Sequence, residues 1–175
     1  MVFPLKGFTL KWYDQMIHAS RLHQALINSL KVGITASIFS TFIALLAAKA
    51  FTKYKVKLRQ LSYGAILLPF VIPEIIIAVS LIVLWTGMGL QLGLVPVTIS
   101  HVLFCTPFCM LVLISRMEGF DKNLEEAAMD LGENAWGTFW RVTFPLVLPA
   151  IVASLLLSFV ISFDEFILAF FLTSS

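Results

Sequence analysis

Apolar and polar positions fall in long blocks along this chain rather than in the short periods of a soluble domain. Four apolar runs, 26–51, 61–85, 94–115 and 145–172, each exceed the roughly 20 residues a helix needs to cross a hydrocarbon core about 30 Å thick. Each run predicts a membrane span, and together they predict an all-α, polytopic membrane helix bundle with four transmembrane helices. Inside the first run, Ser29, Gly33, Ser37 and Ser40 recur at helical spacing and are small enough for close helix approach. Pro69 and Pro73 bracket one turn of the second run and predict a kink, either a gate hinge or a passive bend.

The polar interval 121–145, DKNLEEAAMDLGENAWGTFWRVTFP, carries helix signals of its own. Asn123 is placed to cap a first helix, with Glu126 able to reach back to it, and Leu124, Ala127, Ala128 and Leu131 share one apolar face. Gly132 stops that helix, because glycine adopts the left-handed conformation that turns the chain. Asn134 caps a second helix through Trp136, Phe139 and Trp140, and Pro145 opens the last span.

Composition agrees with the block pattern. Hydrophobic residues make up 59% of the 175, and charged residues 13%, against about 25% in an ordinary soluble domain. With a mean hydropathy of +0.96, the chain is that of an integral membrane protein. Its net charge of +2 is too small and scattered for a nucleic-acid footprint, so no nucleic acid is expected as a partner and membrane lipid is. Cys105 and Cys109, one helical turn apart in an apolar run, are expected to pack as small hydrophobes without forming a disulfide framework.

The basic residues set the orientation. Lys53, Lys55, Lys57 and Arg59 crowd the loop between the first two runs, whereas TGMGLQLG, between the second and third, holds none. The first loop is therefore expected in the cytoplasm, and alternation puts 121–145 there too, with both chain ends outside. Lys6, Lys11 and Arg21 pull weakly against this. Residues 1–24 lack the continuous apolar core of a signal peptide and, with Trp12 and Tyr13, are expected to lie along the outer interface.

Three carboxylates within the apolar runs carry the candidate chemistry. Glu74, Asp164 and Glu165 are expected beyond the membrane midplane toward the outside, where an ionised group costs roughly 2.5 kcal/mol or more and must face a cavity or a partner. No Lys or Arg lies at similar depth in these runs to neutralise them. Lining a path, they suit a small organic cation, with Trp85 as an aromatic neighbour. Otherwise they are protonated, or bonded to Ser80, Ser158, Ser162 or a companion subunit. Being adjacent in a helix, Asp164 and Glu165 would point about 100° apart and would not both face the path.

Other polar patterns carry less. His101, Cys105 and Cys109 recur every four residues, a spacing compatible with metal ligands, but such a stripe in a bundle is expected to pack, and no metal is expected. Ser100 or Ser115 with His101 lacks both the convergence and the oxyanion device of a hydrolase. Gly132 and Gly137 are spaced like phosphate-loop glycines, but Thr138 and Phe139 stand where Lys and Ser or Thr are required. No catalytic residue is expected here.

The string Glu126-Ala127-Ala128, three residues, Gly132, nine residues, then Val142-Thr143-Phe144-Pro145 resembles the EAA loop of ABC importer permeases. Val142 and Phe144 replace the usual Ile and Leu. The run 7–175 is similar, more narrowly, to permease subunits of spermidine/putrescine importers, in the segments GFTLKWY, SHVLFCTPF, EAAMDLG and SFDEF. The resemblance implies one permease domain over 1–175, with 121–145 as a cytoplasmic coupling loop and Glu126, Ala127, Ala128, Gly132 and Pro145 as the residues that engage an ATPase. It also implies a pair of cytoplasmic ATP-binding subunits that hold ATP and magnesium, a homologous second permease subunit and an extracytoplasmic solute-binding protein. No cofactor is implied in this chain, and the setting is the bacterial inner membrane. Such permeases usually have six spans, so this chain is expected to lack one at each end. The same loop also serves permeases for amino-acid derivatives or phosphonates; an intramembrane enzyme or a membrane scaffold is the reading from another class.

Overall fold

The small residues of the first apolar run become the seam of the molecule. In the computed structural model, which describes residues 9–53, 59–119, 121 and 123–173, an exposed helix α1 (Lys11–Ile17) leads into a long helix α2 (Ser20–Lys53). Residues 20–24 of the expected interfacial segment thus belong to α2. Residues 1–8 of that segment and 54–58 of the basic loop lie outside the described residues.

Helix α2 packs against α5 (Leu94–Glu118) and α8 (Phe144–Asp164), the third and fourth apolar runs. Every fourth residue of α2 over two turns and more, Ala36, Ser40, Ala44 and Ala48, is 0% exposed. The facing ridges are His101, Cys105, Cys109 and Leu113 of α5 and Ser154, Ser158 and Ser162 of α8, all buried. Ridges of every fourth residue interdigitate, and small side chains let the backbones close in. Cys109 Sγ lies 3.7 Å from Ser40 Oγ and 3.6 Å from the Ser154 carbonyl, while Cys105 Sγ donates to the Ser158 carbonyl at 3.7 Å. The His-Cys-Cys stripe is therefore part of this packing seam. Gly33 is needed in it, because a Cβ there would meet the Phe159 ring at 3.2 Å.

The second apolar run departs from a single kinked span. It forms α3 (Arg59–Val71) and α4 (Glu74–Gly87), two helices bent by 104° about Ile72 and Pro73. Pro69 stays inside α3, but Pro73 has no N–H to continue the ladder and takes the extended conformation φ −56°, ψ 132°. The hydrogen bonds stop at Ile72 N–H to Leu68 O and restart at Ile76 N–H to Pro73 O. Gly93 N–H donates to Leu172 O at 3.0 Å, tying the turn after α4 to α9 (Ile167–Leu172).

The fourth run is broken at one end and extended at the other. Between α8 and α9 the chain opens at Glu165, with φ −71° and ψ 101°. At its start α8 continues backwards, without interruption, through a π-turn (Phe139–Thr143) into α7 (Ala135–Thr138), a 30-residue helix from Ala135 to Asp164. Pro145 opens α8 as expected, in its first turn, although the helix runs on from the π-turn before it. It has no N–H to offer the Arg141 carbonyl, and the wider turn accommodates this: Phe144 N–H reaches five residues back, to Phe139 O.

Three described helices are long and apolar enough to cross a membrane, and the bent α3–α4 pair, a broken span or a re-entrant loop, makes four where it is counted as one span. Among the described residues there is no strand. The protein is a polytopic membrane helix bundle.

Candidate functional site

Two helix discontinuities meet at one cavity. Glu74, in the first turn of α4, and Asp164 and Glu165, at the α8–α9 break, line a space of about 480 Å³ together with Phe104, Phe108 and Phe166. Interrupted backbone at this depth is tolerated where it lines a cavity, because the freed polar groups need solvent or a ligand. Phe104 and Phe108 place the cavity roughly 15–20 Å along α5, beside the middle of that helix.

The break also changes how the acids point. Asp164 and Glu165 face the same cavity because Glu165 is no longer helical, so the 100° rule for helix neighbours does not apply. One Glu165 oxygen, Oε1, accepts from the Leu168 N–H at 2.9 Å and caps α9. The serines that could have satisfied the acids are engaged elsewhere. Ser80 donates to Ile76 O at 2.7 Å, Ser158 to Ser154 O at 2.7 Å, and Ser162 Oγ lies 2.8 Å from His101 Nδ1. Among the described residues, the cavity lining contains no Lys or Arg.

Trp85 is not part of this lining. Its indole is 7% exposed, packs with Ala78, Val97, Leu168 and Leu172, and donates Nε1–H to Ser100 Oγ at 3.0 Å. Phe104, Phe108 and Phe166 supply the aromatic walls instead. They were overlooked because sequence offers no reason to single them out among 16 phenylalanines.

At the far end of α8 lies α6 (Asn123–Asp130), and its cap is Asp121 rather than Asn123. Asp121 Oδ1 accepts from Asn123 N–H at 3.0 Å, and its carbonyl from Leu124 N–H at 3.2 Å. Gly132, at φ +93°, ends the helix with two bonds of a Schellman turn, Glu133 N–H to Ala128 O and Gly132 N–H to Met129 O. Asn134 Oδ1 then accepts from Trp136 and Gly137 N–H and starts α7.

The expected apolar face of α6 is split. Ala128 is buried, whereas Leu124, Ala127 and Glu126 are exposed, with Leu131 88% and Trp136 70% exposed beside them. Glu125, which sequence did not single out, accepts a hydrogen bond from the buried Thr143 of the π-turn. Glu133 pairs with Arg141 across the same corner. Lys49 Nζ of α2 sits 3.8 Å from the Phe139 ring centre, and Arg116 Nε of α5 donates to Leu146 O at 3.2 Å. The Glu125–Thr143 bond ties α6 to the root of the α7–α8 helix, and the other contacts tie the following turn, α2 and α5 to it.

Bent and broken helices thus border a cavity lined by three carboxyl groups, with a capped helical corner at the other end of the Ala135–Asp164 helix. The chain belongs to the family of binding-protein-dependent transport system inner membrane components, matched over residues 40–175, which contain both the cavity and the corner. It is 35% identical over 168 residues to the spermidine/putrescine transport system permease protein PotC of Escherichia coli K12, covering 96% of this chain and 64% of that protein. PotC of Haemophilus influenzae is 34% identical over 168 residues, covering 96% and 65% respectively. The putrescine transport system permease protein PotI of Escherichia coli K12 is 28% identical over 175 residues, covering 95% and 62%. The chain thus spans a little under two thirds of the length of these relatives. These relatives are transport permeases rather than enzymes, and this chain is a membrane component of the same family.

Proposed function

We propose that the chain forms part of the transmembrane path of an importer for a small organic cation, a polyamine such as spermidine or putrescine. The observation that carries this is the meeting of Glu74, Asp164 and Glu165 at one aromatic-walled cavity without a lysine or arginine. Carboxylates satisfy ammonium groups by charge-assisted hydrogen bonds, and the methylene chain of a polyamine packs on the phenylalanines. The polyamine permeases named above support the same substrate class.

In this account 121–145 is the cytoplasmic coupling loop, both chain ends face outward, and α1 runs along the outer interface. Glu126, Ala127 and the exposed Leu131 and Trp136 meet one of a pair of ATP-binding subunits. Ala128 and Gly132 set the shape of the docking helix. Closure of the ATPase moves α6, and the Glu125–Thr143 and Glu133–Arg141 contacts carry that movement into the helix from Ala135 to Asp164, past Pro145. The helix moves as a rigid body and shifts the acids at its other end. The Pro69–Pro73 region, at the bend, serves as the gate hinge. A homologous second permease subunit completes the path, and an extracytoplasmic solute-binding protein delivers the solute.

The test is ATP-driven uptake by the complete transporter in proteoliposomes. Labelled spermidine accumulates against its gradient, and a neutral polyol of similar length does not. Equal uptake of the two, or neither, rejects a cation path.

A further inference from the structure

A second cavity adjoins the first. About 230 Å³ in volume, it is lined by Asn28 and Ser29 of α2, Leu94, Val97 and His101 of α5, and Ser162, Glu165, Ala169 and Thr173 at the α8–α9 break. Glu165 is the residue the two spaces share. Along α5 they follow one another, with His101 a single turn from Phe104 of the first cavity.

The second space is built for a hydrogen-bond donor. His101 is 2% exposed and its Nδ1 lies 2.8 Å from Ser162 Oγ, yet Nε2 is buried with no hydrogen-bond partner. Leaving a buried polar atom unpaired costs about 1–3 kcal/mol, and a donor that enters beside His101 and reaches Nε2 removes that cost. In the tautomer that donates Nδ1–H to Ser162, Nε2 presents a lone pair. The remaining polar lining, Asn28, Ser29, Thr173 and the Glu165 carboxylate, offers acceptor oxygens, and the lining has no Lys or Arg.

We propose that the second cavity is a separate ammonium subsite: a linear di- or triamine places one amino group among Glu74, Asp164 and Glu165, and a second against His101 Nε2. Glu165 stands between the two groups and contacts both cavities. This rests on the polyamine path proposed above and adds the requirement for two amines. A monoamine fills only one subsite and loses the second contact, so selectivity for linear polyamines follows from the pairing of cavities rather than from charge alone.

The test uses the complete transporter with Ala169→Cys in the second cavity, labelled with a small cationic thiol reagent, the aminoethyl thiosulfonate. Cys105 and Cys109 are buried, and their background is measured in the parent protein. Spermidine is expected to slow labelling at least tenfold, while 1-aminobutane at the same concentration protects weakly. His101→Leu in that background raises the spermidine concentration needed for protection about tenfold, the loss of one hydrogen bond to a charged group. If His101→Leu does not reach the membrane, protection in the His101 protein alone decides. Labelling indifferent to spermidine, equal protection by 1-aminobutane, or failure of the cationic reagent to react at position 169 each overturn the proposal. Failure of the underlying path looks different: Glu165→Gln then leaves spermidine uptake unchanged. If only the second subsite is wrong, uptake still responds to Glu165→Gln while Ala169→Cys labels equally with and without spermidine.

Discussion

Replacing Glu165 by Gln is expected to lower ATP-driven spermidine uptake by about ten- to a hundredfold, with the amount of protein in the membrane unchanged. A hydrogen bond to a charged group contributes about 1.5–3 kcal/mol, and each 1.4 kcal/mol is a factor of ten. Glu74→Gln and Asp164→Asn, on the same cavity, are expected to act in the same direction. The replacements keep size, remove the charge and exchange one acceptor oxygen for an NH2 donor, so loss of uptake reports on the cation's counter-charge and its acceptors. They should not harm folding, because removing an unpaired charge from an apolar setting relieves a desolvation cost. Glu165→Gln retains an oxygen that can cap α9 at Leu168 N–H, which separates that role from transport. Uptake indifferent to all three replacements contradicts the assignment of the acids to the path.

The second large effect is expected at the corner. Gly132 sits at φ +93°, where a side chain beyond Cβ is strained and a β-branched one is worst. Gly132→Val is expected to unwind the Schellman turn, displace α6, abolish co-purification of the ATP-binding subunits and reduce uptake more than tenfold. Gly132→Asn, which tolerates the left-handed region, should restore much of both. Glu126→Lys reverses an exposed charge without touching the turn and is expected to weaken docking alone. Thr143→Val removes the donor to Glu125, leaving the ATPase bound and hydrolysing while uptake falls. Unchanged co-purification and uptake in Gly132→Val and Glu126→Lys would count against the corner as the docking element.

The sequence was legible wherever the physics is local. Block hydrophobicity marked the apolar segments, the small residues of α2 marked its packing face, and the Gly132 stop and Asn134 cap depend on chemistry within a few residues. What escaped is set by distant neighbours. Pro73 announced a kink, but a 104° bend also depends on α4 packing beside α9, and nothing in residues 69–74 encodes that partner. The opening at Glu165 has neither proline nor glycine to signal it, and without it Asp164 and Glu165 would have faced apart. Trp85 looked like a wall of the path because its burial and its bond to Ser100 are tertiary facts. The Glu125–Thr143 link joins residues 18 apart across two turns, with no periodicity to reveal it.

The breaks and the corner lie at opposite ends of one helix, Ala135 to Asp164, with the π-turn near one end of it. On the proposed reading, a stiff element of that length, tied to α6 at its root and ending in an acid of the cavity, would carry a movement at the loop to the site without a relay of side chains.

The most direct test of the cation path is a structure of the complete transporter trapped with spermidine before release. The account predicts amine nitrogens about 3 Å from the carboxylates of Glu74, Asp164 or Glu165, with the methylene chain against Phe104 and Phe108. Spermidine bound elsewhere in the bundle, with this cavity closed or filled by side chains, would contradict it.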